Sequence, residues 1–182
     1  SNTALCVGPN ITYVKVKSSN PYTGVPATYI VAKDLVGKLF SEKIPFEVLP
    51  GEMKGSELVG MRYEQLIPWF RPDEGAFRVI PGDYVSTEEG TGIVHIAPTF
   101  GADDAKVAKA AGVPGLVVID RNGDPQAQVD PRGRFYRVED LDPEYVKERV
   151  SDEYREWAGR YVKNAYDDSL PADAPTLDVD LC

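Results

Sequence analysis

Apolar and polar positions alternate in short runs along most of this chain, and the runs are closely spaced. Residues 3–7 and 11–17 read as two strands, the second with Ile11, Tyr13, Val14 and Val16 in near alternation, joined as a half-buried hairpin at Gly8-Pro9-Asn10. Asn20 to Gly24 is a turn, and 27–32 is a further strand. Residues 33–40 predict a short helix with Leu35, Val36 and Leu39 inward. Residues 46–50 predict a strand that Gly51 breaks, 55–60 an extended piece, and 77–80 a strand followed by the turn Pro81-Gly82-Asp83 and extended residues 84–86. Residues 61–70 carry no clear period. Beyond 115, a strand at 116–119, the turn Asp120-Arg121-Asn122-Gly123 and a returning segment at 126–129 suggest a second hairpin. Residues 143–165 form the longest helical pattern, broken near Ser151 or Gly159, with Tyr145, Val146 and Val150 on one stripe and Tyr154, Trp157, Ala158 and Tyr161 on another.

The centre of the chain, 86–112, has a different texture: STEEGTGIVHIAPTFGADDAKVAKAAG. Ile93, Val94, His95 and Ile96 are a β run carrying the only histidine. Residues 97–101 form a loop, and 102–111, rich in Ala and Lys, predict a helix that stops at Gly112. Asp103 and Asp104 fall in its first turn, where the helix dipole favours carboxylates by about 0.3–1 kcal/mol. Consecutive helical residues point about 100° apart, so one acid is expected toward solvent and the other toward the strand end. Many short strands with turn chemistry between them predict a mainly β fold, barrel-like or sandwich-like, with peripheral helices; a doubly wound sheet is the weaker reading.

Composition adds bounds. The 182 residues fit one domain, with 42% hydrophobic and 27% charged positions as in a globular protein. No apolar run approaches the roughly 20 residues of a membrane span, and SNTALCVGP lacks the basic and apolar regions of a signal peptide, so a cytoplasmic protein with no membrane partner is expected. Cys6 and Cys182 make no disulfide framework and read as free thiols in a reducing compartment. From Asp167 onward the chain is acidic and Pro-rich, and 169–182 is expected to be a loose tail. With 20 basic against 29 acidic residues the net charge is −9, which argues against a stand-alone nucleic-acid binder but not against a domain that handles one end of a nucleic acid held elsewhere.

Candidate chemistry is sparse. A lone histidine on an apolar strand is more often a packing residue than a catalyst. Glu88 and Glu89 read as a solvated turn. A metal site from His95, Asp103 and Asp104 lacks a second His or a Cys cluster and matches no ligand spacing, so no metal is expected, although a metal-dependent hydrolase built on those three stays open. Gly90, Gly92 and Gly101 bracket a strand and form no phosphate loop. There is no nucleophile elbow, and neither Cys has a His near it in sequence. The residues support a pocket with one imidazole and one carboxylate without specifying a reaction. A non-catalytic β module whose acidic surface binds a basic partner is the other alternative.

GTGIVHIAPTFGADD, residues 90–104, resembles the signature of the editing domain inserted in class I isoleucyl-tRNA synthetases. SNTALCVGP resembles the end of that domain's threonine-rich entry segment, where a Trp-Thr-Leu-Pro run leads into a small residue and Asn. GSELVGMRYEQLIPWF (55–70), VIPGDYVSTEEG (79–90) and RYVKNAYDD (160–168) are weaker echoes in the family's order. A His within the strand favours the isoleucyl over the valyl and leucyl enzymes. The His-Ile-Gly-His and Lys-Met-Ser-Lys-Ser signatures of the synthetic site are not in the sequence, so the resemblance is to a single editing domain, 1–182, of a larger synthetase.

The resemblance implies a barrel-like β fold and post-transfer editing: hydrolysis of the ester of valine wrongly attached to tRNA(Ile). Isoleucine exceeds valine by one methylene, a difference worth only about 10–200-fold in discrimination, so a second sieve is needed. By the same resemblance Asp104 holds the α-ammonium of the misplaced valine. His95 shapes the small side-chain pocket and positions the terminal adenosine, and Asn2 contacts the substrate. Gly92 and Ala97, being small, are inferred to let the backbone approach the ligand. The implied partners are the valine-bearing 3′ end of tRNA(Ile), valyl-adenylate as a second substrate, and the rest of the synthetase, which uses ATP and Mg; no cofactor is expected in this domain. The family's pocket threonines would precede Ser1.

Overall fold

The computed structural model describes residues 1–41, 43–163, 167, 169 and 170. The expected loose tail at 169–182, Cys182, and the ends of the 143–165 helix and the 160–168 echo lie largely or wholly outside the described residues. The fold is mainly β with short helices on its periphery, as the pattern predicts. Its strands are β1 (Ala4–Val7), β2 (Thr12–Ser19), β3 (Pro26–Ala32), β4 (Glu47–Val48), β5 (Met53–Lys54), β6 (Arg78–Pro81), β7 (Ile93–Ile96), β8 (Val118–Ile119) and β9 (Pro125–Gln126); its helices are α1 (Val36–Leu39), α2 (Gly55–Leu58), α3 (Ala102–Ala111) and α4 (Pro143–Arg149).

The strands form three small sheets. The first has the order β6-β1-β7, with β1 parallel to β6 and antiparallel to β7. The second has the order β3-β2-β4, with β5 pairing β2 nearer its start. The third is the β8–β9 hairpin around the predicted Asp120 turn, where the Asp120 carboxylate accepts from the Asn122 and Asp124 amides at 2.9 and 3.0 Å. Those bonds hold Asp120 below the usual carboxylate range. The Asn20 turn closes the β2–β3 hairpin, its side chain accepting from Tyr22 and Thr23.

The predicted β1–β2 hairpin does not form. The two strands alternate as expected, but they belong to different sheets. The chain turns a corner at 8–11, and Tyr13 ties that corner down: its hydroxyl accepts the Gly8 N–H at 3.0 Å and donates to the Gly92 carbonyl at 2.6 Å. Gly92 has φ +75°, and a Cβ there would collide with the Ala32 methyl. The Ala32 N–H reaches the Thr91 carbonyl at 2.9 Å beside it. This is where the two larger sheets cross. Between them lie Val7, Tyr13, Ala32, Leu35, Leu58 and Val79.

Two other segments, 55–58 and 33–40, differ from their sequence patterns for tertiary reasons, and a third, 143–165, breaks near Ser151 as expected. Residues 55–58 are helical because the Glu57 carboxylate caps the Lys54 N–H at 2.7 Å and Leu58 is drawn into the inter-sheet core. A Cβ at Gly55 would meet the Gly8 carbonyl, so the helix starts against the corner. In 33–40 a 3-10 turn precedes α1; Leu35 is buried, but Leu39 is exposed. The long helix at 143 is capped by Asp142, which accepts from Tyr145 at 2.8 Å, and it stops at Arg149. There Val150 bridges Phe70 and the Ser151 N–H reaches the Trp69 carbonyl at 2.8 Å, which pulls the chain out of helical geometry. Both apolar stripes of this segment, Tyr161 apart, still pack with Trp69, Phe70, Leu116, Val118 and Leu141 in an aromatic cluster around the buried Tyr154.

The geometry of the corner sets an expectation for Tyr13→Phe. Removing the hydroxyl orphans a buried N–H and a buried carbonyl, so stability should fall by about 1–3 kcal/mol, read as a lower urea midpoint with an unchanged denaturant slope.

Candidate active site

The first sheet carries the candidate residues. Its two faces are used differently. Ala4, Cys6, Ile80 and Ile96, together with Val94, pack beneath α3 with Ala108, Val113 and Val107. Leu5, Val79 and Ile93 face the other way, into the inter-sheet core. His95 follows Ile93 by two residues and is the register partner of Leu5, so the pleat places it on that second face, past the edge of the core, where it is exposed. Histidine in a packed strand would be buried and bonded; His95 has no side-chain hydrogen bond or ion pair among the described residues.

Asp104 sits at the other side of β7. The Thr3 N–H bonds the Ile96 carbonyl at 2.9 Å, toward β1. The next amide in the chain, that of Ala97, therefore points off the free edge of β7, because the C=O and N–H of one peptide unit point opposite ways. Asp104 Oδ2 accepts this amide at 2.9 Å, and Oδ1 has no hydrogen-bond partner among the described residues. The carboxylate is half-buried against the turn at 97–101, where a Cβ on Gly101 would press on it. α3 itself ends at Gly112 in the left-handed conformation, as predicted. Asp103 points to solvent, pairs with Lys106 at 3.1 Å and is 90% exposed. The two acids thus divide as the 100° rule requires.

That division separates the three groups of the metal alternative. Among the described residues no three His, Cys, Asp or Glu side chains are grouped so as to hold a metal ion. Glu88 and Glu89 are exposed, as a solvated turn should be. Gly92 is buried at the sheet crossing, and that crossing accounts for its lack of a side chain. Ala97 is buried, with its amide on Asp104.

Asn2 and Leu5 line an apolar cavity of about 330 Å³ beside the start of β1. Tyr63, Trp69, Phe77 and Phe135 form much of its wall. Leu5 joins the cavity to His95 through the β1–β7 register. Phe77 is the one non-glycine described residue with positive φ, 60°, a conformation that costs about 1–3 kcal/mol. It is held there by its N–H on the Thr3 carbonyl at 2.7 Å and by the Tyr63 N–H on its own carbonyl at 3.0 Å. Thr3 is fully buried, and its hydroxyl has no partner among the described residues. The aromatic wall escapes a reading of the sequence. Its members come from 63–77 and 135, and the 61–70 stretch has no period because long-range contacts order it.

On the α3 side, Cys6 is a free, buried thiol pushed above its ordinary range by burial. Tyr84 is likewise raised by burial, with Cys6 beside it. Among the described residues no helix is long and apolar enough to cross a membrane.

No protein-family model matches the chain. It is similar over its full length to isoleucine–tRNA ligases: 54% identical to that of Bacteroides fragilis, 51% to that of Porphyromonas gingivalis and 48% to that of Bacteroides thetaiotaomicron. The chain spans 17–19% of the length of these relatives. It is 37% identical to the ligase of Thermoplasma volcanium over 93% of the chain, or 13% of that relative. Among solved structures, the crystal structure of GlLeuRS-CP1 overlaps it with a TM-score of 0.40 at 22% identity, over 61% of this chain and 44% of that one.

The Asp104–Ala97 bond gives this site a stability signature. Asp104→Ala leaves the Ala97 amide unpaired at a half-buried edge and should cost about 1–2 kcal/mol in thermal or urea unfolding. Asp104→Asn keeps an acceptor and should cost less than half as much.

Proposed function

We propose that this chain, which belongs to the isoleucine–tRNA ligase family, is the part of such a ligase that removes a wrongly attached amino acid from the tRNA 3′ end, and that it does so as one domain, 1–182. The amino acid is valine and the tRNA is tRNA(Ile), with valyl-adenylate a second substrate. Activation of isoleucine with ATP belongs to the rest of the ligase, which works in the cytoplasm.

The observation that carries this reading is Asp104. One carboxylate oxygen is fixed by the Ala97 amide at 2.9 Å, and the other is left for a ligand at a half-buried corner of the sheet. A carboxylate held this way is a natural partner for an α-ammonium, since charge-assisted bonds are the strong ones. Pinning the ammonium there places the ester beyond the end of β7, where His95 stands on the adjoining face. His95 shapes the side-chain pocket and positions the terminal adenosine.

The reaction is hydrolysis. A water oxygen adds to the ester carbonyl carbon, the bond to the ribose oxygen breaks, and that oxygen takes up a proton. Valine and deacylated tRNA leave. The water is oriented by the pocket and by the neighbouring ribose hydroxyl, and the side chains bind and orient. Specificity follows from size: valine enters, and isoleucine, one methylene longer, does not. The net charge of −9 fits a domain whose tRNA is held mainly by other parts of the ligase.

Hydrolysis-resistant valyl- and isoleucyl-adenosine analogues test this by thermal shift. At 100 times its dissociation constant the valyl analogue should stabilise the chain by about 2.7 kcal/mol, and the isoleucyl analogue at the same concentration should give little. Asp104→Asn, which keeps the bond to Ala97 but loses the charge, should abolish the shift. Equal shifts with both analogues, or a shift that survives Asp104→Asn, would overturn the assignment.

A further inference from the structure

Asn2 and Tyr63 meet at the wall of the apolar cavity, and Tyr63 is a residue that the sequence does not single out. We propose that Tyr63 is a positioning residue for Asn2: its hydroxyl occupies the acceptor end of the Asn2 carboxamide and so turns the donor end, Nδ2, toward the acylated 3′ end of the tRNA. This rests on the editing reading above.

A free asparagine offers a donor end and an acceptor end, and a flip of the amide exchanges them. With the α-ammonium taken by Asp104, the ester group of an amino-acyl ribose presents only acceptors to a side chain, its carbonyl and bridging oxygens. Only one of the two amide orientations is then productive. The Tyr63 hydroxyl donates to Asn2 Oδ1, which selects that orientation before any ligand arrives.

Tyr63 is itself well fixed. Its N–H donates to the Phe77 carbonyl at 3.0 Å, and its ring meets the Phe77 ring edge-on at 5.8 Å and 74°. Phe77 is held at φ 60° by the Thr3 carbonyl, one residue along from Asn2. Strained residues that the surroundings over-determine collect at ligand sites. Burial pushes the Tyr63 phenol up to about 12, so it keeps its proton, and remains a donor, through the neutral range. Asn2 and Leu5 share the cavity wall, and His95 faces Leu5 across the β1–β7 pair. The oriented amide therefore stands along the same side of the sheet as the histidine.

The test is a double-mutant cycle on the binding of the hydrolysis-resistant valyl-adenosine analogue, with Asn2→Ala, Tyr63→Phe and the double variant, beside Asp104→Asn. Phenylalanine keeps the ring contact with Phe77 and deletes only the hydroxyl. Each single substitution should weaken binding by about threefold to tenfold, the span of one net hydrogen bond, and the double variant should be no weaker than Asn2→Ala. The Asn2 side-chain amide, followed by nitrogen-15 NMR, should show two well-separated proton signals that move on addition of the analogue and that collapse toward free-asparagine positions in Tyr63→Phe. A purely structural tyrosine would lower the melting temperature and leave the cycle additive. Losses that multiply in the double variant, or analogue binding unchanged by Tyr63→Phe, overturn the proposal while leaving the Asp104 reading intact. Absence of analogue binding to the unsubstituted chain removes the editing reading and this proposal with it.

Discussion

One carboxylate oxygen, Oδ2 of Asp104, organises the corner of the sheet that carries the candidate site. β7 is an outer strand of a three-stranded sheet, and the amide that follows it points away from every other strand. An unpaired, half-buried N–H is expensive, and Asp104 Oδ2 removes the cost. The same bond ties the turn at 97–101 to the first turn of α3 at the strand end. Structure alone uses one of the two oxygens, and the proposed ligand would use the other.

A second constraint sits a strand away and works on the architecture. Tyr13 spans the corner at Gly8 and the carbonyl of Gly92, so the two larger sheets are locked at the point where the chain enters β7. Gly92 admits this because it alone tolerates the left-handed backbone while lying against Ala32. The consequence for the site is a rigid base. With Ile93 packed in the inter-sheet core, His95 two residues on projects from a fixed strand and owes its exposure to the end of that core.

Against this base the strained, aromatic side of the sheet stands out. Phe77 is held in a left-handed conformation, Thr3 carries a buried hydroxyl without a partner among the described residues, and Asn2 is gripped by Tyr63. Asn2, Tyr63 and Phe77 line one cavity next to β1, and Thr3 is buried behind it, bonded to Phe77. The strained backbone of Phe77 and the residue with that unpartnered hydroxyl, Thr3, are joined by one hydrogen bond, from the Phe77 N–H to the Thr3 carbonyl.

Much of this was legible in the residues. The alternation of 11–17, the Asn20 and Asp120 turns, the strand 93–96, and a helix running from Ala102 to Ala111 with its stop at Gly112 follow from local rules: period, turn chemistry and capping act over a few residues and need no partner. The division of labour between Asp103 and Asp104 follows equally from helical geometry, and the run 90–104 carried the family resemblance. Local rules could not say that β1 and β2 part into different sheets, because pairing depends on what lies across the strand, and here Tyr13 finds Gly92, 79 residues away. They could say that 143–165 breaks near Ser151, but not that Trp69 and Phe70 secure the break, nor that 55–58 is helical, since the core recruits Leu58. Nor could they place His95 in the open or bring Tyr63 to Asn2. Sequence determined the elements and the candidate chemistry; tertiary structure decided pairing, exposure and the orientation of each polar group, because those depend on distant neighbours competing for the same hydrogen bonds and the same buried space.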